Sequence, residues 1–130
     1  QQLECEGHAQ VVASVGEVIG PVAFSSLAAT PAWLAQPQAG RFARAYRASR
    51  EWAHAAPAGE VAAAVQSFFP AIRRDALVNA IRYYQGLRCW EGDLAIPRGE
   101  YETALDVFAH SGLIARRHAF EKVVVAPPGC

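Results

Sequence analysis

The sequence predicts an α/β chain in which two short strands precede four consecutive helices and a short strand or extended tail closes the run. Three observations predict it. Apolar, largely β-branched runs cut by Gly and Pro fill residues 11–28. Four segments then repeat apolar residues at three- and four-residue spacing, each bounded by Pro or Gly. No strand pattern returns between those segments, so the helices do not build a doubly wound sheet alone. They must cover a sheet supplied mostly by residues absent here, or pack as a bundle on the two strands.

Val11-Val12-Ala13-Ser14-Val15 reads as a buried strand near 10–15, and Val22-Ala23-Phe24 as part of another near 20–28, with Gly16, Gly20 and Pro21 as tight-turn residues. Thr30 can cap a helical turn with Pro31 at its first position, and Pro37 breaks that turn. The strongest helix covers 38–55, with Phe42, Ala45, Tyr46, Ser49, Trp52 and Ala53 on one face. Pro57 ends it and opens the next, which carries Glu60 in its first turn and Val61, Ala64, Val65 and Phe68 on its apolar side. Pro70 stops that helix. A third covers 73–85, with Leu77, Ala80, Ile81 and Tyr84 facing the core and Gly86 as the left-handed cap. A fourth covers 97–111, opened by Pro97, with a stripe of Tyr101, Ala104, Leu105 and Phe108. Gly112 ends it, and Leu113 folds back toward Phe108. Val123-Val124-Val125 reads as a strand or extended tail before a Pro-Pro-Gly coil.

The chain has 130 residues, 52% hydrophobic and 18% charged, enough for one domain with a core and too apolar for disorder. Twelve basic residues balance twelve acidic ones, so net charge gives no argument for nucleic acid or an anionic membrane. No run of eighteen apolar residues and no signal-peptide pattern occurs. The lack of Met predicts a processed or excised chain. Cys5, Cys89 and Cys130 leave open one disulfide plus a free thiol, or three reduced thiols.

The run Tyr84-Gln85-Gly86-Leu87-Arg88-Cys89-Trp90, then Asp93, Ile96, Tyr101, Phe108 and Gly112-Leu113-Ile114, resembles the C-terminal part of ABC-transporter solute-binding proteins of the nitrate, sulfonate, taurine and thiamine-pyrimidine class. The stretches EVIGPVAFSSLAATPAWL, AGRFARAYRASREWAHAAP, ALVNAIRYYQGLRCW and IPRGEYETALDVFAHSGLI are similar to that class in their order of Pro, Trp, Gly and aromatic positions, over about residues 10–125. The resemblance implies a type II periplasmic-binding-protein-like α/β fold of which this chain is the mostly helical C-terminal segment, with two or three short strands. Residues 1–29 would end the second lobe and supply the return (hinge) strand. Residues 30–125 would be the helical C-terminal part of the first lobe, and 126–130 a flexible tail.

The resemblance further implies capture of a small solute for ABC-type import, with no chemistry on it and no cofactor. The solute would be a sulfonate, a nitrate-like anion or a thiamine-pyrimidine precursor. The partner would be a membrane permease, and the compartment periplasmic or extracytoplasmic. If the chain is a fragment, its exposed faces allow a homodimer. Two alternatives stand beside this reading: an independent helical sensor or dimerisation module, and a pyrimidine-synthase-like enzyme of related fold. The enzyme would need a cofactor-binding lysine, and the one lysine, Lys122, sits near the tail.

The residues placed in the binding cleft are Glu17, Pro21, Phe24 and Ser25. Each also reads structurally: Glu17 and Pro21 in a tight turn, Phe24 and Ser25, with Ser26, as strand packing. Arg41, Arg44, Arg47 and Arg50 recur every third residue and read as a solvated face in preference to an anion, nucleic-acid or docking surface. Cys5 and His8, with Glu4 and Glu6 beside them, lack convergent partners for a zinc site. No phosphate loop, dinucleotide fingerprint or nucleophile elbow occurs, and Glu102 and Asp106 read as solvated carboxylates.

Overall fold

The computed structural model describes residues 2–129. Among them the expected α/β fold does not form. The chain is helical (57%) and no described residue lies in a strand, so the type II periplasmic-binding-protein-like arrangement with two or three short strands is corrected. Residues 11–14 and 20–30 are irregular and have no ladder partner. A strand is stable only when its N–H and C=O groups pair with a neighbour, which an apolar β-branched run cannot supply by itself.

In chain order the helices are α1 (Gln2–Cys5), α2 (Val15–Ile19), α3 (Pro31–Leu34), α4 (Pro37–Ala55), α5 (Ala58–Val65), a 3-10 turn at Gln66–Phe68, α6 (Arg74–Gly86), α7 (Arg98–His110) and α8 (Phe120–Val123). Two of them replace expected strands. Glu17 donates its backbone N–H to Ser14 Oγ at 3.4 Å, an N-terminal cap that turns Val15–Ile19 into one and a half turns of helix. At the other end Phe120–Val123 is helical and Val124 is extended.

The boundaries carried by local chemistry fall where expected. Thr30 Oγ1 accepts from the Trp33 N–H at 3.2 Å, with Pro31 at the first helical position. Pro37 opens α4, while Pro57 and Pro97 stand just before α5 and α7 in non-helical conformation. Gly112 takes φ 68°, and the Leu113 N–H bonds to Phe108 O at 2.9 Å. Gly86, by contrast, stays inside α6, and the left-handed residue two positions later is Arg88 at φ 59°.

The chain divides into two compact units, Gln1–Val18 with Arg47–Gly92 and Ile19–Tyr46 with Asp93–Cys130. The first has a core of Val61 and Ala62 from α5 against Leu77 and Ile81 from α6, ringed by Ala53, Ala56, Val65, Ile72, Val78 and Trp90. Ala64 and Phe68, expected on that buried side, are exposed, Phe68 at 77%. Tyr84, expected in the core, is half exposed and meets Trp90 edge-on, with ring centroids 6.0 Å apart.

In the second unit Ala39, Ala43 and Ala104 are buried and aromatic pairs supply the larger contacts. Phe24 lies against Phe108 at 5.2 Å, Trp33 meets Phe42 edge-on, Phe42 stacks on Tyr46, and Tyr101 meets Phe120 edge-on at 5.5 Å. The Arg98 guanidinium sits 4.6 Å over the Phe120 ring and pairs with Glu121. Described tail residues pack here too: a β-carbon on Gly129 would lie 3.4 Å from the Gly40 Cα.

Candidate functional site

The four residues expected in the cleft fall into different units. Glu17 belongs to the first; Pro21, Phe24 and Ser25 belong to the second, where Pro21 and Ser25 are exposed and Phe24 packs on Phe108. They therefore do not converge within either unit.

Glu17 instead lines a groove in the first unit together with Asn79, Arg82, Tyr83, Gly86 and Leu87. The α6 members Asn79, Arg82, Tyr83 and Gly86 stand at i, i+3, i+4 and i+7, one stripe of the helix. This stripe is distinct from the core stripe of Leu77 and Ile81 on the same helix. The groove is open to solvent and has a volume of about 480 Å³. At Gly86, one of its lining residues, a β-carbon would meet nothing within 4 Å. Across from the stripe, Gly16 places α2 close to Leu87: a β-carbon on Gly16 would be 3.9 Å from Leu87 Cδ1.

Its polar inventory is one carboxylate, one guanidinium, one amide and one phenol. Arg82 Nη1 donates to Asn79 Oδ1 at 3.0 Å, and Asn79 Nδ2 reaches Cys5 Sγ at 3.9 Å. Tyr83, Leu87 and Asn79 are half-buried, while Arg82 and Glu17 are exposed. The sequence sets Glu17 with Pro21, Phe24 and Ser25 and gives no sign of the α6 stripe when that helix is read only for its apolar face. The Ser14-x-x-Glu17 capping pattern was the available signal that α2 would form and carry Glu17 there.

A second depression, with a volume of about 710 Å³, is lined by Glu4 and residues 7–12, with the Val11 N–H donating to Glu4 Oε1 at 3.2 Å. Apart from Glu4, which stands on α1, its lining residues lie outside the helices. Among the described residues no group of three or more His, Cys, Asp or Glu could hold a metal ion. Cys5 and Cys89 are free thiols, the second exposed; Cys130 lies outside the described residues. Of the arginines on α4, Arg41 and Arg44 are exposed, and Arg50 donates to the Glu91 carbonyl at 2.9 Å. Glu102 is half-buried, and Asp106 pairs with Arg117 at 2.6 Å.

No helix among the described residues is long and apolar enough to cross a membrane. No family model, curated protein or solved structure matches the chain.

Proposed function

We propose that the chain is the helical part of a small-molecule binding protein that serves ABC-type import and performs no chemistry on its ligand. The observation that carries this reading is the groove in which Glu17 joins Asn79, Arg82 and Tyr83, a concave surface with an apolar wall and a few oriented polar groups. The order of Pro, Trp, Gly and aromatic residues supports the solute class, a sulfonate, nitrate-like anion or thiamine-pyrimidine precursor. A membrane permease as partner and a periplasmic or extracytoplasmic location belong to the same proposal.

Native mass spectrometry of the purified chain tests it. A bound mass of a few hundred daltons or less, lost on denaturation, is the expected result. A ligand-free spectrum, unchanged on adding candidate solutes, would sink the reading.

One observation favours a second reading, a helical interaction module. The residues sealed from water are alanines, Ala39 and Ala62 at 0% and Ala76 at 1%, while Val18 at 83% and Phe68 at 77% stand in solvent. Single exposed apolar residues are ordinary; the second reading requires several of them to share one face that another polypeptide covers. The same spectrum separates the two readings, since a ligand-free dimer or higher oligomer belongs to the interaction module.

A further inference from the structure

Val11-Val12-Ala13-Ser14 has the composition of a strand, and the fold leaves that composition unused. Valine is among the residues most enriched in strands, yet residues 11–14 are irregular. The Val11 N–H is taken by Glu4 Oε1 at 3.2 Å. The N–H and C=O groups of Gln10 and Val12 bond to no other backbone group among the described residues. Both residues are exposed, Val12 at 92%.

A segment with an unpaired backbone edge is a template for a second strand. Along a strand the backbone N–H and C=O groups point to alternate sides. With the Val11 N–H turned toward Glu4 of its own chain, the groups of Gln10 and Val12 form the open side. Two copies can meet there antiparallel about a two-fold axis at Val11, with Gln10 of one opposite Val12 of the other.

Two observations favour a second copy of this chain as the occupant. The segment is its own complement in that register: each Val12 N–H meets a Gln10 C=O, and each Gln10 N–H a Val12 C=O. No residue from Ala9 to Gly16 is charged, so identical copies meet without like-charge repulsion. A strand pair this short is weak alone, and apolar side chains beside it add to the contact. Val15 and Val18 stand three apart on α2, on one face, and both are exposed. All of these residues belong to the first unit.

We propose that residues 10–13 pair as an antiparallel β-strand with the same segment of a second copy, making a closed two-fold dimer. Glu4 occupies the other side of the segment, so each copy offers one edge and assembly stops at the dimer. The assignment rests on the interaction-module reading and names its surface and its partner.

Sedimentation velocity of the full chain over a wide concentration range tests it, together with amide exchange at residues 10–13. The parent chain is expected to pass from monomer to dimer as concentration rises, with exchange at Gln10 and Val12 slowing in step. Val12→Pro removes a donor of the pair and should weaken dimerisation by about tenfold or more. Val12→Thr keeps the N–H and the β-branch and should dimerise like the parent. Circular dichroism should show unchanged helix content in both variants, since Val12 lies outside every helix.

An oligomer that Val12→Pro leaves intact overturns the strand assignment and leaves the interaction reading standing. Assemblies that grow beyond the dimer overturn the closed two-fold pairing. A monomer at every concentration makes a second copy the wrong occupant, and overturns the proposal together with the oligomer that the interaction reading expects.

Discussion

Cys89 donates its backbone N–H to the Tyr84 carbonyl at 3.1 Å and so closes α6. The Arg88 N–H bonds to Gln85 O at 3.0 Å beside it, which makes a Schellman motif. The end of α7 repeats it, with Leu113 on Phe108 at 2.9 Å and Gly112 on Ala109 at 3.1 Å. The two ends differ in the residue that carries positive φ, Gly at 112 and Arg at 88. A β-carbon in that conformation crowds the following carbonyl. Arg88→Gly is therefore expected to raise the melting temperature by a few degrees, and Gly112→Ala to lower it, both read by thermal circular dichroism. The Arg88–Glu91 pair lost in the first variant is solvent-exposed and adds little. A lower melting temperature for Arg88→Gly would show that the pair outweighs the backbone strain.

Gln85 caps a helix other than its own. Its Nε2 donates to the carbonyls of Ala53 and Ala56, both at 2.8 Å, at the end of α4. Those carbonyls have no partner inside α4 beyond its last turn. Gln85→Leu keeps the volume and removes both bonds, so urea unfolding should show a loss of about 1–3 kcal/mol. A change within experimental error would mean that water replaces the amide without cost.

Ser14→Ala removes the cap of α2, a loss of about 1 kcal/mol of local helix stability. Because α2 carries Glu17, the effect should concentrate there. Amide exchange is expected to quicken at residues 16–19 and stay unchanged in α6. Uniform quickening over both helices would show that α2 and α6 open as one unit.

Three exposed carboxylates are held below their ordinary values. The Arg73 guanidinium, hydrogen-bonded to Asp75, lowers that carboxyl, helped by the Ala76 N–H. Arg88 does the same for Glu91. For Glu121 its own backbone N–H acts first and Arg98 second. A carboxylate with a lowered folded-state pKa stabilises the fold above its unfolded value, and that contribution is lost as pH falls through the folded value. Melting temperature should thus hold between about pH 7 and pH 5 and decline below about pH 4, where unfolded carboxyls gain protons. Added salt should flatten the decline, since these pairs are exposed. A melting temperature that rises on acidification below pH 4 would contradict this assignment.

The features legible from the amino-acid order alone are those written in neighbouring residues. Thr30 before Pro31, Pro37 at the head of α4, Pro57 before α5, Pro97 before α7 and Gly112 after it act through φ restriction, a missing N–H or a cap within one turn. They hold whatever surrounds them. The valine runs at 11–15 and 22–24 lacked that independence, since extended backbone becomes a strand only beside a partner, and with none the Ser14 cap made Val15–Ile19 helical.

Which side of each helix is covered depends on the packing of one helix against another. α5 buries Val61 and Ala62 and leaves Ala64 outside because the covering surface is α6, and no periodicity within α5 names its neighbour. The same holds for the candidate site. Asn79, Arg82, Tyr83 and Gly86 form a stripe that any helix drawing would show, but the meeting of that stripe with Glu17 depends on where α2 comes to rest, more than sixty residues away along the chain. Local rules act over a turn of backbone; burial and site assembly depend on contacts between residues distant in sequence.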